Sequence, residues 1–124
     1  MSETTAERAH RVTTEPAAHR VRVTAGDQVI ADSTRAIVLH ETDHADRFYL
    51  PREDVNWDLL QPTASRTHCP VKGDADDYWA LRTEPGTDVA WSYPSPFDYL
   101  QTIAGYVAFY SERVQVDAAE LLPR

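Results

Sequence analysis

The chain is short of the residues from which metal, redox and phosphate sites are commonly built. Its 124 residues include one cysteine, so no internal disulfide can form, and a structural zinc centre of the usual multi-cysteine kind cannot be assembled. A lone thiol fits a reducing, cytoplasmic setting. Four glycines are too few, and wrongly placed, for a phosphate-binding P-loop or a dinucleotide fingerprint. There is no G-x-S-x-G elbow for a hydrolase serine. Positive charge is in deficit as well. The formal net charge is −8 and the isoelectric point is near 4.9, so a phosphate backbone or an anionic membrane surface would be repelled. No apolar run approaches the ~20 residues needed to cross a bilayer. The opening "MSETTAERAHRVTTEPAAH" has no apolar centre and does not read as a secretory signal. No cofactor, nucleic-acid partner or membrane partner is expected, and the oligomeric state, monomer or homodimer, stays open.

What is present is enough apolar material for one ordinary core: hydrophobic residues make up 42%, and all 12 aromatics fall between Phe48 and Tyr110. Residues 1–18 are polar and aperiodic and are expected to be a flexible tail. In "HRVRVTAGDQVIADS", Val21 and Val23 alternate with polar neighbours, Gly26 makes a turn, and "VIADS" returns as a second strand. "RAIVLHE", "RFYLP", "RTHC", "DYWALRT" and "VAWSYP" read as further strands. "RTHC" and "DYWALRT" are expected to pair with each other, and "EPGTD" to be a hairpin turn. In "SPFDYLQTIAGY", Ser95 as N-cap, Pro96 at the first position and Gly105 as a stop predict one helix. "YVAFYSERVQV" reads as a closing strand and "DAAELLPR" as a weak helix or tail. The expectation is a mainly β domain over residues 19–117, a compact antiparallel sheet or partly open barrel with one short helix, followed by a tail at 118–124. Aromatic–proline bonds favour cis more than most, so Tyr93–Pro94 is expected to be cis.

"HETDH", His40 to His44, matches H-E-x-x-H, the signature of zinc proteases. That motif works on a helix. Here it follows strand-like "AIVL", where positions four apart lie ~13 Å from each other. It reads as a polar loop, and no metal ligand is assigned.

The stretch "RTHCPVKGDADDYW" concentrates the remaining chemistry. His68 and Cys69 are neighbours on a strand and point to opposite faces. Pro70 and Gly73 require a tight turn. Cys69 is either a small buried thiol or a nucleophile whose thiolate needs a nearby cation, which Lys72 can supply. Lys72 beside Asp74 is either a solvated pair or a lysine directed into an aromatic pocket, able to bind an anion or act as an amine nucleophile. The candidate chemical residues are therefore His68, Cys69, Lys72 and Asp74. Trp79, Trp91 and Tyr93 are candidate walls, and Arg20 and Arg35 are candidate anion contacts.

These blocks carry a resemblance. "RVRVTAGDQVIADSTRAIVLHET", "YLPREDV", "THCPVKGDADDYW", "AWSYPSP" and "IAGYVAFY" occur in the same order in the bacterial and fungal family called domain of unknown function 427, over about residues 20 to 116. The resemblance implies a compact antiparallel fold of the β-tent, or Mss4-like, group. Relatives there bind zinc through paired C-x-x-C ligands, which this chain does not have. The family has also been labelled nucleotidyltransferase-like, a label that no residue pattern here supports. Its signature resembles T-H-C-P-[aromatic]-K-G-x-A, with Val71 standing at the aromatic slot of this chain. "DADDYW" is one residue longer than the usual "DASYW". The functional expectation is a small-molecule site near the Cys69–Asp74 turn, binding or weakly catalytic. Its competitor is an interaction or structural module in which the same residues only serve the fold.

Overall fold

The computed structural model describes residues 11–70 and 72–120. Among the described residues, thirteen short strands are joined by turns and short 3-10 segments: β1 (Val12–Pro16), β2 (His19–Ala25), β3 (Gln28–Ser33), β4 (Ile37–Glu41), β5 (Arg47–Tyr49), β6 (Leu60–Thr63), β7 (Thr67–Cys69), β8 (Gly73–Ala75), β9 (Asp77–Leu81), β10 (Asp88–Ser92), β11 (Ser95–Pro96), β12 (Val107–Phe109) and β13 (Gln115–Glu120). They form four small antiparallel sheets, ordered β13-β2-β3, β1-β4-β5, β12-β10-β9-β6 and β11-β8-β7. The protein is mainly β, as the alternating pattern predicts. Short strands follow from the frequent Pro and Asp punctuation, and the β1-β4-β5 sheet meets the β12-β10-β9-β6 sheet at the Leu50–Val107 bridge.

The strands bury two apolar clusters. One gathers Val21, Val23, Ile30, Leu60, Trp79 and Val89. The other gathers Leu39, Tyr49, Tyr78, Trp91, Tyr93, Leu100 and Ile103. The β1-β4-β5 sheet contributes to both, because residues alternate between its faces: Val38 belongs to the first cluster and Leu39 to the second.

Several local expectations are revised. Residues 12–16, expected as tail, form β1 in register with β4 from Val12–Glu41 to Pro16–Ile37; residues 1–10 lie outside the described part. β7 pairs with β8, not with "DYWALRT", which as β9 lies between β6 and β10. The turn after Cys69 is so tight that the chain folds back at once onto its own neighbour. The expected helix does not form as such. Ser95 and Pro96 make β11 against β8, and Asp98–Ile103 is a 3-10 segment broken at Leu100. Three residues per turn place Leu100 and Ile103 in line, and both are buried. Gly105, at φ +76, ends the segment as expected. No peptide bond among the described residues is cis, so Tyr93–Pro94 is trans. "YVAFYSERVQV" divides at a turn where the Arg113 and Val114 amides both donate to the Tyr110 carbonyl. Residues 118–120 complete β13 against β2, while 121–124 lie outside the described part. No helix among the described residues is long and apolar enough to cross a membrane.

Candidate functional site

Lys72 sits in the turn between β7 and β8, and its backbone is held on both sides. Its amide donates to the Cys69 carbonyl at 3.2 Å, and its carbonyl accepts from the Phe97 amide at 2.9 Å. Gly73 makes the second contact possible. Its φ is +117, and a Cβ there would stand 3.3 Å from the Pro96 Cα. Only glycine lets β11 approach this closely while the chain turns through that conformation. The turn therefore fixes the stem of Lys72, and the side chain extends inward.

It reaches a cavity of about 260 Å³ on one face of the β1-β4-β5 sheet. Strand alternation builds that wall. Leu39 and Glu41 of β4 and Arg47 and Tyr49 of β5 line the cavity, while His40 and Phe48 face a separate hollow on the opposite side. Trp91 and Tyr93 close the cavity from β10 and the segment after it, and Cys69, His44 and Ala45 complete it. Tyr49 and Trp91 meet edge to face with centroids 6.4 Å apart. The Arg47 guanidinium lies 4.9 Å from the Trp91 ring centroid and donates to the Phe109 carbonyl at 3.1 Å. These contacts pin the arginine to the wall.

Lys72 Nζ donates to Glu41 Oε1 at 2.7 Å, and both side chains are about nine-tenths withdrawn from solvent, at 12% and 11% exposure. Nζ also lies 3.9 Å from Cys69 Sγ. His44 Nε2 stands 3.8 Å from the other Glu41 oxygen. Burial pushes the Tyr49 and Tyr93 phenols well above their ordinary range, so both remain neutral hydroxyls.

Four of the residues expected from the sequence come together here: Cys69, Lys72, Trp91 and Tyr93. The other five lie elsewhere. His68 and Asp74 face each other across the β7–β8 hairpin, 2.6 Å apart and both largely in solvent. This is the opposite-face consequence of placing Cys69 inward. Arg20 is bound by Asp32 at 2.6 and 2.9 Å on the β2-β3 surface. Arg35 pairs with Asp54 and Glu53. Trp79 belongs to the other core cluster, 4.9 Å from Trp57 and under the Arg52 guanidinium.

Glu41, Arg47 and Tyr49 escaped the sequence reading. A signal for Glu41 was available: it follows Leu39 by two positions, so on a strand it shares Leu39's inward face. Composition held another signal. Of the 12 lysine and arginine residues, Lys72 is the one lysine. The chain's single lysine and single cysteine thus lie in the same cavity. A larger depression, about 550 Å³, runs between the β2–β3 turn and residues 111–115. It is open to solvent, and neither Lys72 nor Cys69 reaches it.

An antiparallel β domain with a lysine–glutamate pair in an aromatic-walled cavity is the class that fold and site define. Residues 13–120 match the family described as domain of unknown function 427 (DUF427), and the chain belongs to that family. No curated protein matches it.

Proposed function

We propose that this protein binds a small organic anion in the Lys72 cavity. The observation that carries the reading is the convergence of two cations, Lys72 and Arg47, with Glu41 and an aromatic wall, in a chain whose net charge is −8. Glu41 offsets Lys72, so Arg47 leaves a local positive excess that suits one negative group. Trp91 and Tyr93 suit a planar or apolar remainder. Pockets for metabolites usually begin at ~300 Å³, so a cavity of about 260 Å³ fits a molecule of few heavy atoms. We read the domain as β-tent-like without that group's zinc, and as cytoplasmic because its one thiol is free.

The test is a titration of small carboxylates and phosphate esters into the protein, followed through the Trp91 indole resonance. Saturable shifts that vanish in Arg47→Met support the reading. Compounds that leave Trp91 unmoved, or move it equally in Arg47→Met, overturn it. A second reading, a protein-contact module, is favoured by Phe97 and Tyr99, which stand 41% and 58% exposed beside the same turn. Replacing both by Ser would abolish partner binding under that reading and leave the anion titration intact.

A further inference from the structure

The identity of the one lysine goes further than the pocket. Among the described residues, carboxylates elsewhere are held by arginine, as in Arg20–Asp32, Arg35–Asp54 and Arg52–Asp77, or by histidine, as in His40–Asp46 and His68–Asp74. Arginine is the better partner for a planar carboxylate and never gives up its proton under ordinary conditions. An ion pair with Glu41 therefore does not by itself call for lysine. What lysine has and arginine lacks is an amine that loses its proton and becomes a nucleophile. At this position the amine is sheltered from water, fixed at its stem by two backbone hydrogen bonds, and in contact with a carboxylate that can take its proton. The Cys69 sulfur, a weakly polar neighbour, occupies another side of Nζ.

We propose that Lys72 captures a small carbonyl acid, such as a 2-oxo acid, as an iminium, with Glu41 as the proton carrier and Arg47 holding the substrate carboxylate. This rests on the reading of the cavity as an anion site. In the step, Glu41 takes a proton from the Lys72 ammonium. The freed Nζ pair bonds to the carbonyl carbon, and the carbonyl π pair moves to oxygen. A proton passes from nitrogen to that oxygen, giving a neutral carbinolamine. Glu41 then returns its proton to the hydroxyl, the C–O bond breaks, and water leaves. Lysine ammonium and carbonyl become iminium and water, with charge unchanged and no oxidant or reductant consumed. A sheltered site favours the loss of water, and the aromatic wall limits the acid to a short side chain.

The experiment is reductive trapping. Full-length protein is incubated with pyruvate and cyanoborohydride, and the adduct is located by peptide mapping. Lys72 is the one lysine of this sequence, so peptide mapping separates its adduct from one on an α-amino group. One adduct per chain on Lys72 is expected, absent in Lys72→Arg, which keeps the ion pair but cannot form the iminium. Glu41→Gln should slow trapping by roughly 100-fold, the scale of a lost proton carrier. Arg47→Met should weaken pyruvate trapping about tenfold, the loss of one hydrogen bond to a charged group, and leave trapping of propanal unchanged. Adduct on the terminal amine alone, or equal trapping in Lys72→Arg, overturns the proposal. Lactate, which has the carboxylate but no carbonyl, separates the two readings. If lactate shifts Trp91 while pyruvate is not trapped, the anion site stands and the iminium falls. If neither pyruvate nor lactate acts, both fall.

Discussion

Lys72 and Glu41 lie 31 residues apart in sequence and 2.7 Å apart in space, each about nine-tenths buried. Removing one partner deprives the other charge of a short contact at a place where water barely reaches. Lys72→Met should therefore destabilise the fold by about 3 kcal/mol, near the lower end for breaking a buried pair because some exposure remains. The double replacement Lys72→Met with Glu41→Leu should recover most of that loss. Urea denaturation of the three variants checks the pattern. A single mutant as stable as the parent would mean that the pair contributes nothing to folding.

His40 makes folding stability depend on pH. The bond to Asp46 at 2.8 Å, and then the bond to Glu15 at 2.7 Å, hold its imidazolium above the ordinary histidine value. A histidine with a raised folded value adds stability in full below its unfolded value of ~6.5 and loses it as pH rises through the folded value. The parent should thus lose stability on going from about pH 6 to pH 8, more than His40→Gln does. The difference between the two denaturation curves isolates His40 from the other histidines, and parallel curves would refute the assignment. Asp46 neighbours Ala45 and Arg47 of the cavity wall, so loosening this contact should also raise amide exchange there.

Gly73→Ala should cost roughly 1–3 kcal/mol, because it combines an unfavourable left-handed φ with a close approach to β11. The diagnostic readout is the Phe97 amide, which donates to the Lys72 carbonyl. Its hydrogen exchange should accelerate more than that of the β2-β3 hairpin. Uniform acceleration would point to global loss of stability rather than to this contact.

His68→Ala and Asp74→Ala should each change stability by less than about 1 kcal/mol, since their bond is exposed to solvent on both sides. Neither should alter the Trp91 response to carboxylates. If either abolished that response, the functional surface would lie on the outer face of the hairpin and not in the cavity.

Much of the local structure was legible from short-range pattern. Alternation at Val21 and Val23 marked β2, Gly26 marked its hairpin, and neighbours His68 and Cys69 were bound to face opposite ways. These follow from two-residue periodicity and from the backbone freedom of glycine, which need no partner. The broken 3-10 segment was not legible, because Ser95 and Pro96 suit an N-terminus and an extended edge equally well, and β8 claimed them. β1 was hidden by polar composition: its strand character comes from pairing with β4, not from its own residues.

The sequence by itself determined that the domain is mainly β, that it has a turn at Pro70–Gly73, and that one of His68 and Cys69 turns inward. Only the tertiary structure decided which one, and what it meets there. Burying Leu39 and Tyr49 against Trp91 brings the Glu41 face of β4 onto the Lys72 turn and lays Arg47 against a carbonyl 62 residues away. Such meetings are set by which sheet faces cover one another, a non-local balance of apolar burial that no window of sequence contains.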